Sequence, residues 1–215
     1  MFFKKGEKNI LKEACVQSVT KALIAQKQGA DRIELCKNLE QGGLTPNFLD
    51  IKKAYDSLAV PLKVMIRCRS GNFIYNKEEI DKMLEDLQKV KILGIQEIVF
   101  GAIDKNYQIN ISTMKIIAHE AYPMSITFHK AIDLTVGIKK ELKKLSKIDN
   151  VKSILTSGGE STAEEGAGLL KELVSEFKGR FEIIVAGSVT QNNLNNLHKK
   201  INANEYHGRN ILRRV

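Results

Sequence analysis

The sequence predicts an α/β fold, a single-domain TIM-type (β/α)8 barrel whose eighth helix is short or absent. Three observations carry this expectation. Eight short β-rich segments recur about every 28 residues, which is one strand, one helix and two loops. The segments between them carry apolar residues at helical spacing. No linker or low-complexity stretch divides the 215 residues. Strict alternation of strand and helix argues for a parallel sheet covered by helices, and eight units close it into a barrel.

The strand segments read as Leu11–Val16, Arg32–Cys36, Leu62–Arg67, Glu97–Gly101, Ser125–Lys130, Ser153–Ser157, Glu182–Gly187 and Glu205–Gly208. Between them, Ile80, Met83, Leu84, Leu87, Val90 and Leu93 make one helical stripe. Ile138, Leu142, Leu145 and Ile148 make another, as do Met114, Ile117, Ala118 and Ala121. Ser161-x-x-Glu164 reads as a capping box, and Thr45-Pro46 as a cap before an N1 proline. Gly29 and Gly94 fall where helices should exit. Residues 1–10 read as an N-terminal extension to the domain spanning 1–215, and 209–215 as a short basic tail.

Composition narrows the function classes. No run approaches the 18 apolar residues of a transmembrane helix, and the start has no signal-peptide core, so no membrane partner is expected. The three cysteines, at 15, 36 and 68, form no CxxC pair and no disulfide scaffold, which suits a reducing cytoplasmic setting. The net charge of +9 comes mostly from scattered lysines with only 6% aromatic residues, the pattern of a solvated surface. Nucleic acid is therefore not an expected partner. Neither GxGxxG nor GxxxxGK[ST] follows the first strand, so no nucleotide cofactor is expected.

Alternation along each strand assigns the lumen side. With the apolar set facing the helices, Glu13 and Cys15 face in on the first strand and Glu34 and Cys36 on the second. Arg67 and Arg69 follow from the third, Thr127 and His129 from the fifth, and His207 from the eighth. The sixth and seventh strands are ambiguous. Barrel interiors are ordinarily filled with Val, Ile and Leu, and active sites sit at the C-terminal rim. A polar rim costs several kcal/mol per unpaired group, so ligand binding explains it better than stability. The blander alternatives are a structural ion pair of Glu34 with Arg67 or Arg69, and cysteines that merely pack. Two glycine-bearing loops, one at Thr156, Ser157 and Gly158 and one at Gly187, suit an anion at a helix N-terminus. Arg67 and Arg69 would clamp a small anionic metabolite there. Glu34 and His129 would serve as acid and base, with His207 or Asp133 assisting.

Seven segments occur together in order: Glu13-Ala-Cys-Val-Gln-Ser, Gly29-Ala-Asp-Arg-Ile-Glu-Leu-Cys, Gln41-Gly-Gly-Leu-Thr-Pro, Val64-Met-Ile-Arg-Cys-Arg, Thr127-Phe-His-Lys-Ala-Ile-Asp, Leu155-Thr-Ser-Gly and Glu205-Tyr-His-Gly. By these the chain resembles the CutC family of copper homeostasis proteins, from about Lys12 to Gly208. Cys68 and Lys130 depart from the family's usual Pro and Arg at those places. The resemblance implies a cytoplasmic barrel that self-associates as a homodimer or larger. It also implies a role in copper tolerance, with Cu(I) held by Cys15 and Cys36. Soft thiolates suit Cu(I), which accepts two ligands. Two expectations therefore stand: a copper ion at the cysteines, or an enzyme acting at the rim on a small anionic metabolite, phosphorylated or not.

Overall fold

In the computed structural model residues 10–212 are described. The expected extension, up to residue 9, and Arg213 and Arg214 of the expected tail lie outside them. The strands are β1 (Leu11–Val16), β2 (Arg32–Leu35), β3 (Leu62–Met65), β4 (Glu97–Phe100), β5 (Ser125–Phe128), β6 (Val151–Thr156), β7 (Glu182–Val185) and β8 (Glu205–Gly208). They pair in sequence order, all parallel, and β8 closes on β1 to complete the barrel. Among the described residues seven α-helices cover it: α1 (Val19–Lys27), α2 (Phe48–Ser57), α3 (Lys77–Ile92), α4 (Ile111–Ala121), α5 (Ile138–Leu145), α6 (Ala167–Glu176) and α7 (Gln191–Ile201). Among the described residues no helix follows β8.

The helix α3 illustrates how sequence sets the elements. Asn76 caps it in a reciprocal box with Glu79, acidic Glu78 and Glu79 open it, and Lys89 and Lys91 close it. Its stripe buries Met83, Leu87 and Val90 against the sheet, worth about 2 kcal/mol each. Gly29 and Gly94 do terminate helices, at φ +88° and +84°, where a side chain would be strained.

Two start signals are displaced. Asn47, not Thr45, precedes α2. The Thr45 hydroxyl instead accepts from the Arg67 N–H and donates to the Arg67 carbonyl, pinning the end of β3. The capping exchange expected at Ser161 and Glu164 is made one residue later, by Thr162 and Glu165, ahead of α6.

Side-chain alternation builds two apolar layers. The larger lies between sheet and helices and takes Ile33, Leu35, Val64, Ile66, Ile126 and Phe128 as their parity predicts. The lumen carries smaller clusters, one of Cys15, Cys36, Met65 and Val99 and one of Leu155, Ile184 and Ala186. This settles the ambiguous strands: Leu155 and Ile184 turn inward, while Ile154, Ile183 and Val185 turn out.

Below the lumen clusters sits a buried charge network. Glu13 is fully buried and pairs with Arg32 and, at 3.3 Å, with Lys63. Lys63 also lies 3.4 Å from Glu97 and donates to Thr127 Oγ1 at 2.8 Å, while Arg32 also pairs with Glu205. Such a network is costly to break on one side, because the remaining charge stays buried.

Candidate functional site

A cavity of about 970 Å³ opens at the C-terminal ends of the strands, where barrel sites are built. Cys15, Glu34, Cys36 and His207 line one side of it, and Arg67, Phe73, His129 and Lys130 line another.

The first group arises from strand register. Cys15 on β1 is paired with Glu34 on β2, and Glu13 is paired with His207 on β8. Cys36, two residues beyond Glu34 on the same face, therefore reaches the same side of the lumen. Its thiol donates to Glu34 Oε1 at 3.1 Å. Ligand atoms of Cys15, Glu34 and Cys36 lie within 4.8 Å of one another, as do those of Glu13, Glu34 and His207. Gly43, at φ +84°, lies so close that a Cβ there would meet Cys36 Sγ at 3.2 Å. Glu34 Oε2 is buried with no hydrogen-bond partner, although His207 Nδ1 stands 3.5 Å away.

Charge organises this group. The Cys36 thiol, and then the His207 ring, hydrogen-bond Cys15 and pull it down to about 5 against the effect of burial. Its bond to Cys15, together with burial, holds Cys36 well above its ordinary value. Burial, reinforced by the Cys15 thiolate, pushes Glu34 up to about 7. Burial alone would depress His207, but Glu34 and the hydrogen bonds to Cys15 and Glu13 hold it well above its ordinary value. Burial likewise opposes the charge on Glu13, yet Lys63, His207 and Arg32 keep it well below the usual carboxylate range. At neutral pH the arrangement is a thiolate beside an imidazolium that Glu13 orients through a 2.8 Å bond to Nδ1.

The second group centres on His129. Its Nδ1 accepts the Ala131 N–H at 3.2 Å, so its proton sits on Nε2. That Nε2 is buried and has no hydrogen-bond partner. Burial, with the positive charge of Arg67, drives His129 down to about 3, leaving it a neutral donor. A Cβ on Gly101 would come within 2.7 Å of the His129 ring, so the ring's place depends on that glycine. Phe73 packs against His129 with the rings tilted by 49° and their centroids 4.6 Å apart, and it lies under the Arg67 guanidinium at 4.5 Å. Arg67 is buried and holds its loops together, donating to the carbonyls of Gln41, Gly43 and Gly71.

The matches with known proteins bear on this cavity. A model of the CutC family matches residues 10–212. The chain belongs to the CutC family. A CutC family protein of Histophilus somni is 40% identical over 195 residues, 91% of this chain and 80% of its own. A Homo sapiens copper homeostasis protein cutC homolog is 36% identical over 197 residues, 92% of this chain and 72% of its own. The crystal structure of a Streptococcus agalactiae protein assigned to copper homeostasis as CutC superposes with a TM-score of 0.90 at 31% identity. It covers 94% of this chain and 99% of that one.

In this CutC chain the structure gathers Cys15, Glu34, Cys36, Arg67, His129, Asp133, Gly187 and His207 around the cavity. It does not assemble the expected arginine clamp. Arg69 is turned away and held by Glu79 and the carbonyls of Asn72 and Ile74. The reason is that β3 ends at Met65, so strand alternation does not extend to residue 69. Thr127 sits deeper in the barrel on Lys63. The loop after β6 is shaped for an anion, but the anion is Asp133. The carboxylate accepts the Ser157 and Gly159 N–H groups and the Thr156 hydroxyl, while Gly158 N–H donates to Thr156 Oγ1. Glu34 pairs with neither arginine; its contacts are Cys36 and His207. Phe73 and Lys63 were not legible as site residues. Phe73 lies in an irregular loop, and the ion pair that gives Lys63 its place is made with Glu13 on another strand.

Proposed function

We propose that this chain is a copper homeostasis protein that binds Cu(I) through Cys15 and Cys36 at the floor of the cavity. The observation that carries it is the placing of two buried thiols on the lumen side of adjacent strands, with Glu34, within 4.8 Å of one another. The donor set fits the ion: two soft sulfurs suffice for Cu(I), and one of them is a ready thiolate. Bound copper would supply soft-ion storage or exchange at the cavity floor. Reducing cytoplasm would keep the thiols available, and a dimer or larger assembly is the expected state. Competitive Cu(I) titration tests the reading. Tight binding by the parent should disappear in Cys15→Ser combined with Cys36→Ser; equal binding by that double variant would remove the site.

A second reading rests on a different observation. A metal ion needs no 970 Å³ cavity, nor a buried His129 Nε2–H that meets no acceptor. Both suit an enzyme acting on a small anionic metabolite. In it His129 donates a hydrogen bond, Arg67 supplies positive charge and Glu34, near neutrality, moves a proton. Thermal-shift screening against carboxylated and phosphorylated metabolites tests it. Stabilisation should be lost in His129→Gln; a ligand that protects that variant as well as the parent would defeat the assignment.

A further inference from the structure

The two thiols line the cavity yet are covered. Cys15 is 7% exposed and Cys36 1%, and the half-buried side chain of Leu39 packs against their cluster with Met65 and Val99. Leu39 belongs to a strap, residues 37–44, between β2 and α2. The base of the strap is an antiparallel bridge. In it Lys37 N–H donates to the Leu44 carbonyl at 2.9 Å and Leu44 N–H to the Lys37 carbonyl at 2.8 Å. Its crest is one 3-10 turn, Leu39–Gln41. Left-handed residues flank the crest, Asn38 at φ +51° before it and Gly42 and Gly43 at +87° and +84° after it. A few such positions can absorb the backbone rotation of a hinge while the base stays paired. A Cβ on Gly43 would meet Cys36 Sγ at 3.2 Å and Leu39 Cδ2 at 3.7 Å, so the Leu39 side chain ends beside the Cys36 sulfur. The crest is fastened from other strand ends. Arg209, just past β8, donates to the Leu39 carbonyl. Gln17, just past β1, accepts the Leu39 N–H at 3.3 Å, and Arg67 donates to the Gln41 carbonyl at 3.2 Å. Arg209 is exposed, so its bond is readily exchanged for one to water. A second cavity, of about 490 Å³, shares Cys15, Leu39 and Arg209 with the 970 Å³ one. Leu39 and Arg209 thus stand where two open spaces meet at Cys15.

We propose that the strap of residues 37–44 is a gate over the thiol pair, with Leu39 as its plug and Arg209 as its latch. It opens when Arg209 releases the Leu39 carbonyl and the crest turns on Asn38 and on Gly42 and Gly43, lifting Leu39 off the Cys36 sulfur. Neither residue is a ligand, so both set how fast an ion or reagent reaches the sulfurs and not how tightly it is held. The inference rests on the reading that the two thiols are the metal-binding pair, and it adds the residues that control access to them.

The test is the rate at which Ellman's reagent labels Cys15 and Cys36 in the full chain, native and reduced, in a Cys68→Ser background. Arg209→Ala and Leu39→Ala should each speed labelling by about fivefold or more, the effect of losing one fastening. Leu39→Met keeps the bulk of the plug and should react at the parent's rate. Thermal melts check that each variant folds. Arg209 is exposed, so its variant carries the test if Leu39→Ala does not fold. In a competitive titration both variants should keep Cu(I) affinity within about threefold of the parent, while transfer of Cu(I) to a bathocuproine chelator becomes faster by the same factor as labelling. Labelling rates that move in neither variant would overturn the gate, and with Cu(I) still bound they would leave the copper reading standing. An Arg209→Ala chain that labels faster only in proportion to a lowered melting temperature would also overturn it. Faster labelling in a chain that binds no Cu(I) would support the gate and remove the copper reading.

Discussion

Glu13 accepts a 2.8 Å hydrogen bond from His207 Nδ1 across the seam where β8 closes on β1. The same carboxylate is the anionic centre of the buried network with Lys63 and Arg32. One residue therefore links barrel closure to the cavity wall. Its charge is fixed from below by two cations and read from above by a histidine.

Glu13→Gln should cost about 3–5 kcal/mol in a urea unfolding experiment, since it leaves Lys63 buried without its nearest anion. The loss should depend on pH. Glu13 is depressed in the fold, so its contribution is present above its unfolded value of about 4.3 and is lost as pH falls below it. The gap between parent and Glu13→Gln should close in acid. His207 is raised, so its contribution is fully present below about 6.5 and is lost as pH climbs through its folded value. The gap between parent and His207→Asn should close in the opposite direction. A pH-independent gap in either series would contradict the charge assignment.

Cys15 is lowered to about 5 first by its hydrogen-bonding contact with Cys36 and then by His207, against the effect of burial. Cys36→Ala should therefore raise the Cys15 midpoint by at least about one unit. Thiolate ultraviolet absorbance, read in a Cys68→Ser background, measures this directly. A midpoint that stays near 5 would assign the effect to His207 alone.

How far the sequence carried the site depended on what each residue needs from long range. The strands were legible because alternation and spacing are local. The lumen positions of Cys15, Glu34, Cys36 and His207 followed from parity. Their grouping did not, because it depends on the Cys15–Glu34 and Glu13–His207 registers. Lys63 has the lumen parity opposite to Val64, but its role was missed because its partner Glu13 lies on another strand and only the strand register brings the two together. Arg69 was misplaced because alternation was carried past the end of β3. Phe73 has no periodic neighbour to betray it.

Two glycines should respond oppositely to alanine. At Gly101 a Cβ would stand 2.7 Å from His129 Cε1 and Nδ1, so Gly101→Ala must move that ring. The cost should be about 1–3 kcal/mol. Gly168, in α6, has nothing within 4 Å of its added Cβ, so Gly168→Ala should stabilise by up to about 1 kcal/mol. Differential scanning calorimetry of the pair tests the packing around His129. Equal effects would mean that the ring accommodates the methyl group.

The loop after β6 makes a sharper prediction, because the carboxylate its donors hold is the chain's own Asp133. Ser157, Gly159 and Thr156 converge on one carboxylate, Asp133, which Lys130 Nζ also contacts at 2.6 Å. Backbone N–H groups at such a turn bind any compact anion that reaches them. Asp133 excludes external anions simply by being there. Asp133→Ala removes the internal anion and leaves the donors and Lys130 in place. The variant should lose about 1–3 kcal/mol for its unsatisfied donors. Inorganic phosphate or sulfate should restore part of that loss, read as a rise in melting temperature with anion concentration that the parent shows weakly or not at all. An equal response in parent and variant would place the anion elsewhere, and no response in either would show that the loop collapses once Asp133 is gone.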